Sequence, residues 1–271
     1  MTVQELCEKI ELQTCMAEGV DEFLSSYDFT QVEDIVDGLN RADKAAAAYE
    51  KLMQTFMEDE GKIKVLTCFL LSACRSYEVY KEKGISDKIY VDTMKCFTRY
   101  TQECKVRRGY YEFDRAFWTY RQSSMVLFRL GQLEFEMKKD DMGNKVVAVH
   151  IPSDAKLTEE NVDKALDMAK EFFATYYPDY AECEYTCYSW LLAPKLKELL
   201  NEDSNIVRFQ NRFDIHTEDK TDMSVLEWLF KAEEDADFSS LPEDTFLQRK
   251  AKAVLLSGDT VGIGSGVLKT R

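Results

Sequence analysis

Apolar side chains recur at helical spacing from the start of the chain. Residues 3–16 show the pattern first. Thr30, with Glu33 three residues on, reads as a capping box that opens a short helix ended by Gly38. Residues 40–57 are rich in alanine and put Tyr49, Leu52, Met53 and Phe56 on one stripe. Residues 62–80 repeat the stripe with Val65, Leu66, Phe69, Leu70, Ala73 and Tyr77, and Gly84 stops it. Ser86 is placed to cap the next helix, whose face carries Ile89, Met94, Phe97 and Cys104. Connections this short favour antiparallel neighbours, so residues 1–117 are expected to form a helical bundle without a strand.

The period changes after Asp114, which is placed to cap a helix containing Phe117, Trp118, Tyr120 and Arg121, with Gly131 at its end. Residues 132–138 then alternate apolar and polar, as a strand with one buried face does, so the sheet is expected to begin near Gln132. A polar turn over 139–144 joins this strand to a second at 146–151 in an antiparallel hairpin. A long helix over 158–177, a strand over 185–192, a short helix over 194–200 and a strand over 206–216 follow. Helical turns are expected at 225–230 and 245–257, and a mobile, glycine-rich tail at 262–271. The fold class is therefore α+β, a helical domain over 1–117 followed by a mixed α/β domain over 118–271.

Composition narrows the functions open to such a chain. Its 271 residues are 45% hydrophobic and include 16 Phe and 14 Tyr, enough for a large core and too apolar for a disordered chain. The formal net charge of −15 repels phosphate backbones and anionic lipid, which speaks against nucleic-acid and membrane-surface partners. No apolar run approaches the roughly 18 residues that span a bilayer. The first ten residues are polar and acidic and lack a secretory pattern, so a cytoplasmic location is expected. Eight cysteines without a CxxC pair read as reduced core thiols. With only His150 and His216 to help Cys183 and Cys187, no metal site is expected.

Familiar catalytic strings are missing. There is no GxSxG, no Walker loop, no HExxH, and the GxGxG of Gly262, Gly264 and Gly266 follows a helix at the terminus, where a flexible tail is the simpler reading. Four other stretches stand out: Phe113-Asp114-Arg115 with Trp118-Thr119-Tyr120-Arg121-Gln122; Leu127-Phe128-Arg129-Leu130-Gly131-Gln132-Leu133-Glu134-Phe135-Glu136; His150-Ile151-Pro152-Ser153 with the following helix; and Cys187-Tyr188-Ser189-Trp190-Leu191-Leu192 with Asp203-Ser204-Asn205-Ile206-Val207-Arg208-Phe209-Gln210-Asn211-Arg212-Phe213. Together they resemble a bacterial family of acyltransferase-domain proteins with a helical N-terminal domain and a GNAT-like C-terminal domain. The resemblance covers most of residues 105–257. It implies the GNAT fold and acyl transfer from an acyl-coenzyme A, the co-substrate, to an amine or similar nucleophile on a small molecule. The rival reading is a non-catalytic module that keeps the fold and binds a ligand or a protein.

GNAT enzymes resemble one another in a Q/R-x-x-G-x-G/A loop whose amides hold the coenzyme A pyrophosphate. The corresponding strand, loop and helix here span 146–177, with Ser153, Asp154 and Ala155 as the amides nearest the phosphates. The glycines are absent, and Asp154, Glu159 and Glu160 bring negative charge to the same end. In the simpler reading Asp154 or Thr158 caps the helix. Arg208, Gln210 and Arg212 alternate along a strand in this reading, where Arg208 and Arg212 either hold an anion or line a solvated face. Arg121 is a third candidate for that anion. Glu134 and Glu136 share a strand face, and Glu134 is a candidate base. His150 is the better-placed base, because an unperturbed imidazole titrates near pH ~6.5. Ser189 and Cys187 share a face but lack an obvious activating partner other than His150.

Overall fold

The computed structural model describes residues 1–269, and the chain divides into two units, Met1–Arg129 and Leu130–Arg271. The first unit is helical. Its helices are α1 (Val3–Lys9), α2 (Thr14–Ser26), α3 (Glu33–Leu39), α4 (Ala45–Thr55), α5 (Ile63–Lys83), α6 (Asp87–Met94), α7 (Cys96–Arg108) and α8 (Ala116–Ser123). Residues 1–117 hold no strand.

Several boundaries differ from the sequence reading for local reasons. The stripe over 3–16 is cut by Glu11, whose φ of 58° is left-handed, so α1 and α2 are separate. The N-terminal cap here is Thr2, which accepts from the Glu5 N–H at 3.2 Å while its own N–H donates to Glu5 Oε2 at 2.7 Å. Asp28 caps the turn at Thr30, and α3 carries no side-chain cap, so the Thr30–Glu33 box does not form. Ser86 does cap α6. Asp114 does not cap α8; its carboxylate is held by Arg107. The core is aromatic. Phe113 packs against Phe69 and Phe97, both at 5.6 Å between centroids, and Tyr90 against Tyr80 at 5.1 Å.

The sheet starts earlier than the alternation suggests. Its strands are β1 (Leu127–Leu130), β2 (Leu133–Lys139), β3 (Lys145–His150), β4 (Glu184–Ser189), β5 (Phe213–Asp219) and β6 (Ile263–Leu268), in the order β1-β2-β3-β4-β6-β5. All four residues of β1 are buried, so they form an unbroken run that periodicity cannot tell from a helix. Gly131, with φ 65°, is therefore a turn residue between two strands and not a helix cap. The division between the units falls inside β1.

Pairing is antiparallel for β2/β3, β4/β6 and β5/β6, and parallel for β3/β4. A parallel pair needs a crossover, supplied by α9 (Glu159–Tyr176), which Thr158 caps from its hydroxyl. The buried stripe of α9 is Val162, Ala165, Leu166, Ala169, Phe172 and Phe173. Phe173 meets Tyr185 of β4, and Tyr185 meets Phe135 of β2, at 6.4 and 6.0 Å between centroids. Each phenylalanine buried in this way contributes about 1.5–3 kcal/mol.

Two expectations fail in this unit. Residues 206–216 are not one strand: α10 (Leu196–Leu199) is followed by α11 (Asn205–Gln210), capped by Ser204, and β5 begins only at Phe213. Residues 263–268 are not a tail either. They form β6, hydrogen-bonded between β4 and β5; only Thr270 and Arg271 of that stretch lie outside the described residues. A final helix, α12 (Phe246–Leu256), packs with Leu191, Leu196, Val225, Leu226 and Phe230 in a second apolar cluster.

Candidate active site

The parallel pair β3/β4 is joined in register over Val146–Glu184, Val147–Tyr185 and Ala148–Thr186. Beyond Ala148, β3 continues to His150, and beyond Thr186, β4 continues to Ser189, yet these last residues do not pair with one another. The strands part at their carboxyl ends, where open sheets with helical crossovers bind ligands. The far side of β4 is held by β6, from Thr186–Val267 to Ser189–Gly264.

Strand alternation decides what faces this opening. Glu134 lies opposite His150, and Glu136 opposite Ala148, so Glu134, Glu136 and His150 share one face. Ala148 lies beside Thr186, so Thr186 and Tyr188 belong to the same face of β4. The opposite face carries Phe135, Tyr185 and Cys187; Tyr185 there meets Phe173 of α9. Burial pushes the Cys187 thiol up to about 12, which makes it a core side chain and not a nucleophile. Ser189 uses its hydroxyl oxygen to accept from the Leu191 N–H at 3.2 Å, capping the turn after β4.

His150 and Glu136 meet: His150 Nε2 lies 2.8 Å from Glu136 Oε2, with both side chains largely buried. A carboxylate on one ring nitrogen orients the imidazole and stabilises its protonated form. The sequence reading named His150 and Glu134; the geometry joins His150 to Glu136, with Glu134 buried directly across the ladder.

The loop over 151–158 is tied down at several points. Ala155 N–H donates to Pro152 O at 3.0 Å, so that amide is already engaged in a turn. Lys156 N–H donates to Gln132 Oε1 at 2.8 Å, and Asn161 Nδ2 donates to Lys156 O at 3.0 Å. Ser153 and Asp154 are exposed on the same turn. Thr158, not Asp154, caps α9 through the Asn161 N–H at 3.3 Å.

Arg208 and Arg212 reach this end of α9, but from a helix and its exit and not from a strand face. Arg208 on α11 pairs with Glu159 at 2.8 Å and with Asp203 at 3.1 Å. Arg212 pairs with Asp163 at 2.5 Å and reaches Glu159 O at 3.5 Å. Gln210 is fully buried and donates to Leu191 O and Ala193 O at 2.8 and 2.9 Å. Arg121 belongs to the first unit, where its guanidinium lies over Trp118 at 4.2 Å and donates to Phe117 O at 3.2 Å. Among the described residues no group of three or more His, Cys, Asp or Glu side chains is arranged to hold a metal ion, and no helix is long and apolar enough to cross a membrane. The parting of β3 from β4 and the contact of Glu136 with His150 are not read from the sequence, which places Glu136 only on a strand face with Glu134.

A mixed sheet of this order, parting at its one parallel pair and backed by one crossover helix, places the second unit in the α+β class. The family model of the GNAT-like C-terminal domain matches residues 127–268, and that of the N-acyltransferase N-terminal domain matches residues 1–125. The chain belongs to the family of proteins with a GNAT-like C-terminal domain. Comparison with curated proteins gives no match. Among solved structures, the chain is similar to an acyltransferase in complex with decanoyl-CoA and teicoplanin, with a TM-score of 0.80 and 20% identity, covering 99% of this chain and 88% of that one. It is similar at the same TM-score and coverage to an acyltransferase mutant in complex with octanoyl-CoA, at 20% identity, and to an acyltransferase in complex with decanoyl-CoA, at 18%. At this level of identity the likeness establishes the fold.

Proposed function

We propose that this protein transfers an acyl group from an acyl-coenzyme A to an amine or similar nucleophile on a small molecule, with His150 as the base. The observation that carries the reading is the 2.8 Å His150–Glu136 pair at the opening between β3 and β4. The amine nitrogen attacks the thioester carbonyl carbon, and the carbon–sulfur bond breaks as the carbon–nitrogen bond forms. His150 takes a proton from the amine, and Glu136 holds the resulting imidazolium. The coenzyme A thiolate leaves and is protonated.

The α9 end of the site offers two guanidiniums to coenzyme A phosphates, each now paired with a carboxylate. Its helix dipole is positive there, and Arg208 and Arg212 stand beside the first turn. Glu159 now accepts from Arg208; a phosphate competing for that guanidinium would take its place. Ser153 and Asp154 lie on the neighbouring turn. The acyl chain lengths bound by the similar acyltransferases recommend octanoyl- and decanoyl-coenzyme A as first donors. The reading places the protein in the cytoplasm, where acyl-coenzyme A is made and eight cysteines stay reduced.

Calorimetric titration with octanoyl-coenzyme A and with free coenzyme A tests the proposal. Saturable binding of both, weakened about tenfold or more in Arg208→Ala, is expected. An absence of binding to the unaltered protein would reject it in favour of a non-catalytic module.

A further inference from the structure

Among the described residues Tyr188 is the one large hydrophobic side chain exposed on a β-strand; it is 63% exposed. It stands on β4 beyond the last residue paired with β3, on the same face as His150, Glu134 and Glu136. The ladder extends this face away from the opening. Ser265 lies opposite Tyr188, Thr217 lies opposite Ser265, and Asp219 lies one step along β5 on the same side. Partial burial, and behind it the charges of Asp222 and Asp219, hold the Tyr188 phenol above its ordinary range. The loop that carries them is shaped by the two carboxylates. Asp219 Oδ1 accepts from the Thr221 N–H, and Asp222 Oδ1 from the Ser224 N–H, both at 2.8 Å.

An aromatic face held open beside two carboxylates suits a cation that carries a ring. The ring stacks on the phenol, and the charge is drawn to the negative edge and to the π-face. The other face of β4 is closed by Tyr185 against Phe135 and Phe173, while His150 and Tyr188 share the opposite face. We infer that Tyr188, with Asp219 and Asp222, forms the acceptor subsite and selects a ring-bearing primary amine in its ammonium form. The inference rests on the acyl-transfer reading. On that reading the bound ammonium gives one proton to His150, and the free amine attacks the thioester. A second nitrogen proton goes to the departing thiolate, so the products are the amide, coenzyme A thiol and one proton released to water.

Benzylamine, n-butylamine and benzyl alcohol serve as probes with ring and charge, charge alone, and ring alone. Binding is followed by NMR line broadening of the probe in the presence of free coenzyme A, and transfer by mass detection of the octanoyl product. Benzylamine should bind most tightly. Tyr188→Ala should weaken it about tenfold and raise its KM by a similar factor, with kcat and octanoyl-coenzyme A affinity unchanged. Tyr188→Phe should restore both, and the Asp219→Asn, Asp222→Asn double variant should erase the preference for benzylamine over benzyl alcohol. Equal binding of all three probes, no binding of benzylamine, or unaltered benzylamine affinity in Tyr188→Ala overturns the subsite. Octanoyl-coenzyme A binding by calorimetry is read separately. Its absence defeats acyl transfer, while its presence alongside a negative probe result defeats the subsite alone.

Discussion

His150 sits directly across the ladder from Glu134, yet its ring nitrogen meets Glu136, one pleat further along the same face. Diagonal neighbours in an antiparallel pair lie about 7–8 Å apart at their Cα atoms, a gap that an imidazole and a glutamate close together. The two carboxylates are therefore not equivalent. Glu136→Gln keeps the shape and removes the charge that stabilises the imidazolium, so kcat with octanoyl-coenzyme A should fall roughly ten- to a hundredfold. His150→Ala removes the base and should lower it about a hundredfold or more. Glu134→Gln should cost less than Glu136→Gln in kcat under the same assay. Equal losses in the two glutamine variants would mean that the carboxylates act as a unit and that the diagonal contact has no special role.

At the scale of elements, glycine placement separates what alternation reveals from what it hides. Gly264 and Gly266 look like a loose terminus in the sequence, because glycine has low strand propensity and leaves no side-chain pattern. In the structure a Cβ on Gly264 would stand 2.3 Å from Leu192 O, and one on Gly266 would stand 3.0 Å from Asp214 O. These glycines let β6 lie between β4 and β5 while the turn after β4 packs on top. Gly264→Ala should therefore destabilise the protein by about 1–3 kcal/mol, read from the urea midpoint, because a backbone carbonyl must move. Wild-type stability in this variant would show that the turn shifts freely. The same limit explains the other misreadings. The bundle was legible because its stripes have a 3.6-residue period with a clear stop at Gly84. Strand β1 was not, since a fully buried run has no period. In residues 208–212, alternating Arg208, Gln210 and Arg212 imitated a strand because α11 is too short for helical periodicity to accumulate. His150 stood out by residue type, but its contact with Glu136 depended on register, and the opening beside it depended on where pairing stops.

Across the whole molecule, buried acids tie stability to pH on the alkaline side. Burial pushes Cys7, Cys68 and Cys187 up to about 12, Cys74 to about 11 and the Tyr185 phenol to about 12. In the unfolded chain thiols ionise near ~8.5 and phenols near ~10. Below the first of these values both states hold the protons, and stability does not depend on these groups. Above it the unfolded chain releases protons that the folded chain keeps, so rising pH favours unfolding until the folded groups ionise in their turn. Each unit of pH in that window costs about 1.4 kcal/mol for every group ionised only in the unfolded state. The chain already carries a net charge of −15, and self-repulsion acts in the same direction, but salt screens repulsion and leaves the buried thiols unaffected. The urea midpoint at high salt should therefore stay level from pH 7 to about 8.5 and fall steeply by pH 10.5, with the fall reduced in Cys187→Ala. A midpoint that held constant to pH 10.5, or a fall that salt abolished, would assign the alkaline limit to surface charge and leave the buried thiols without a part in it.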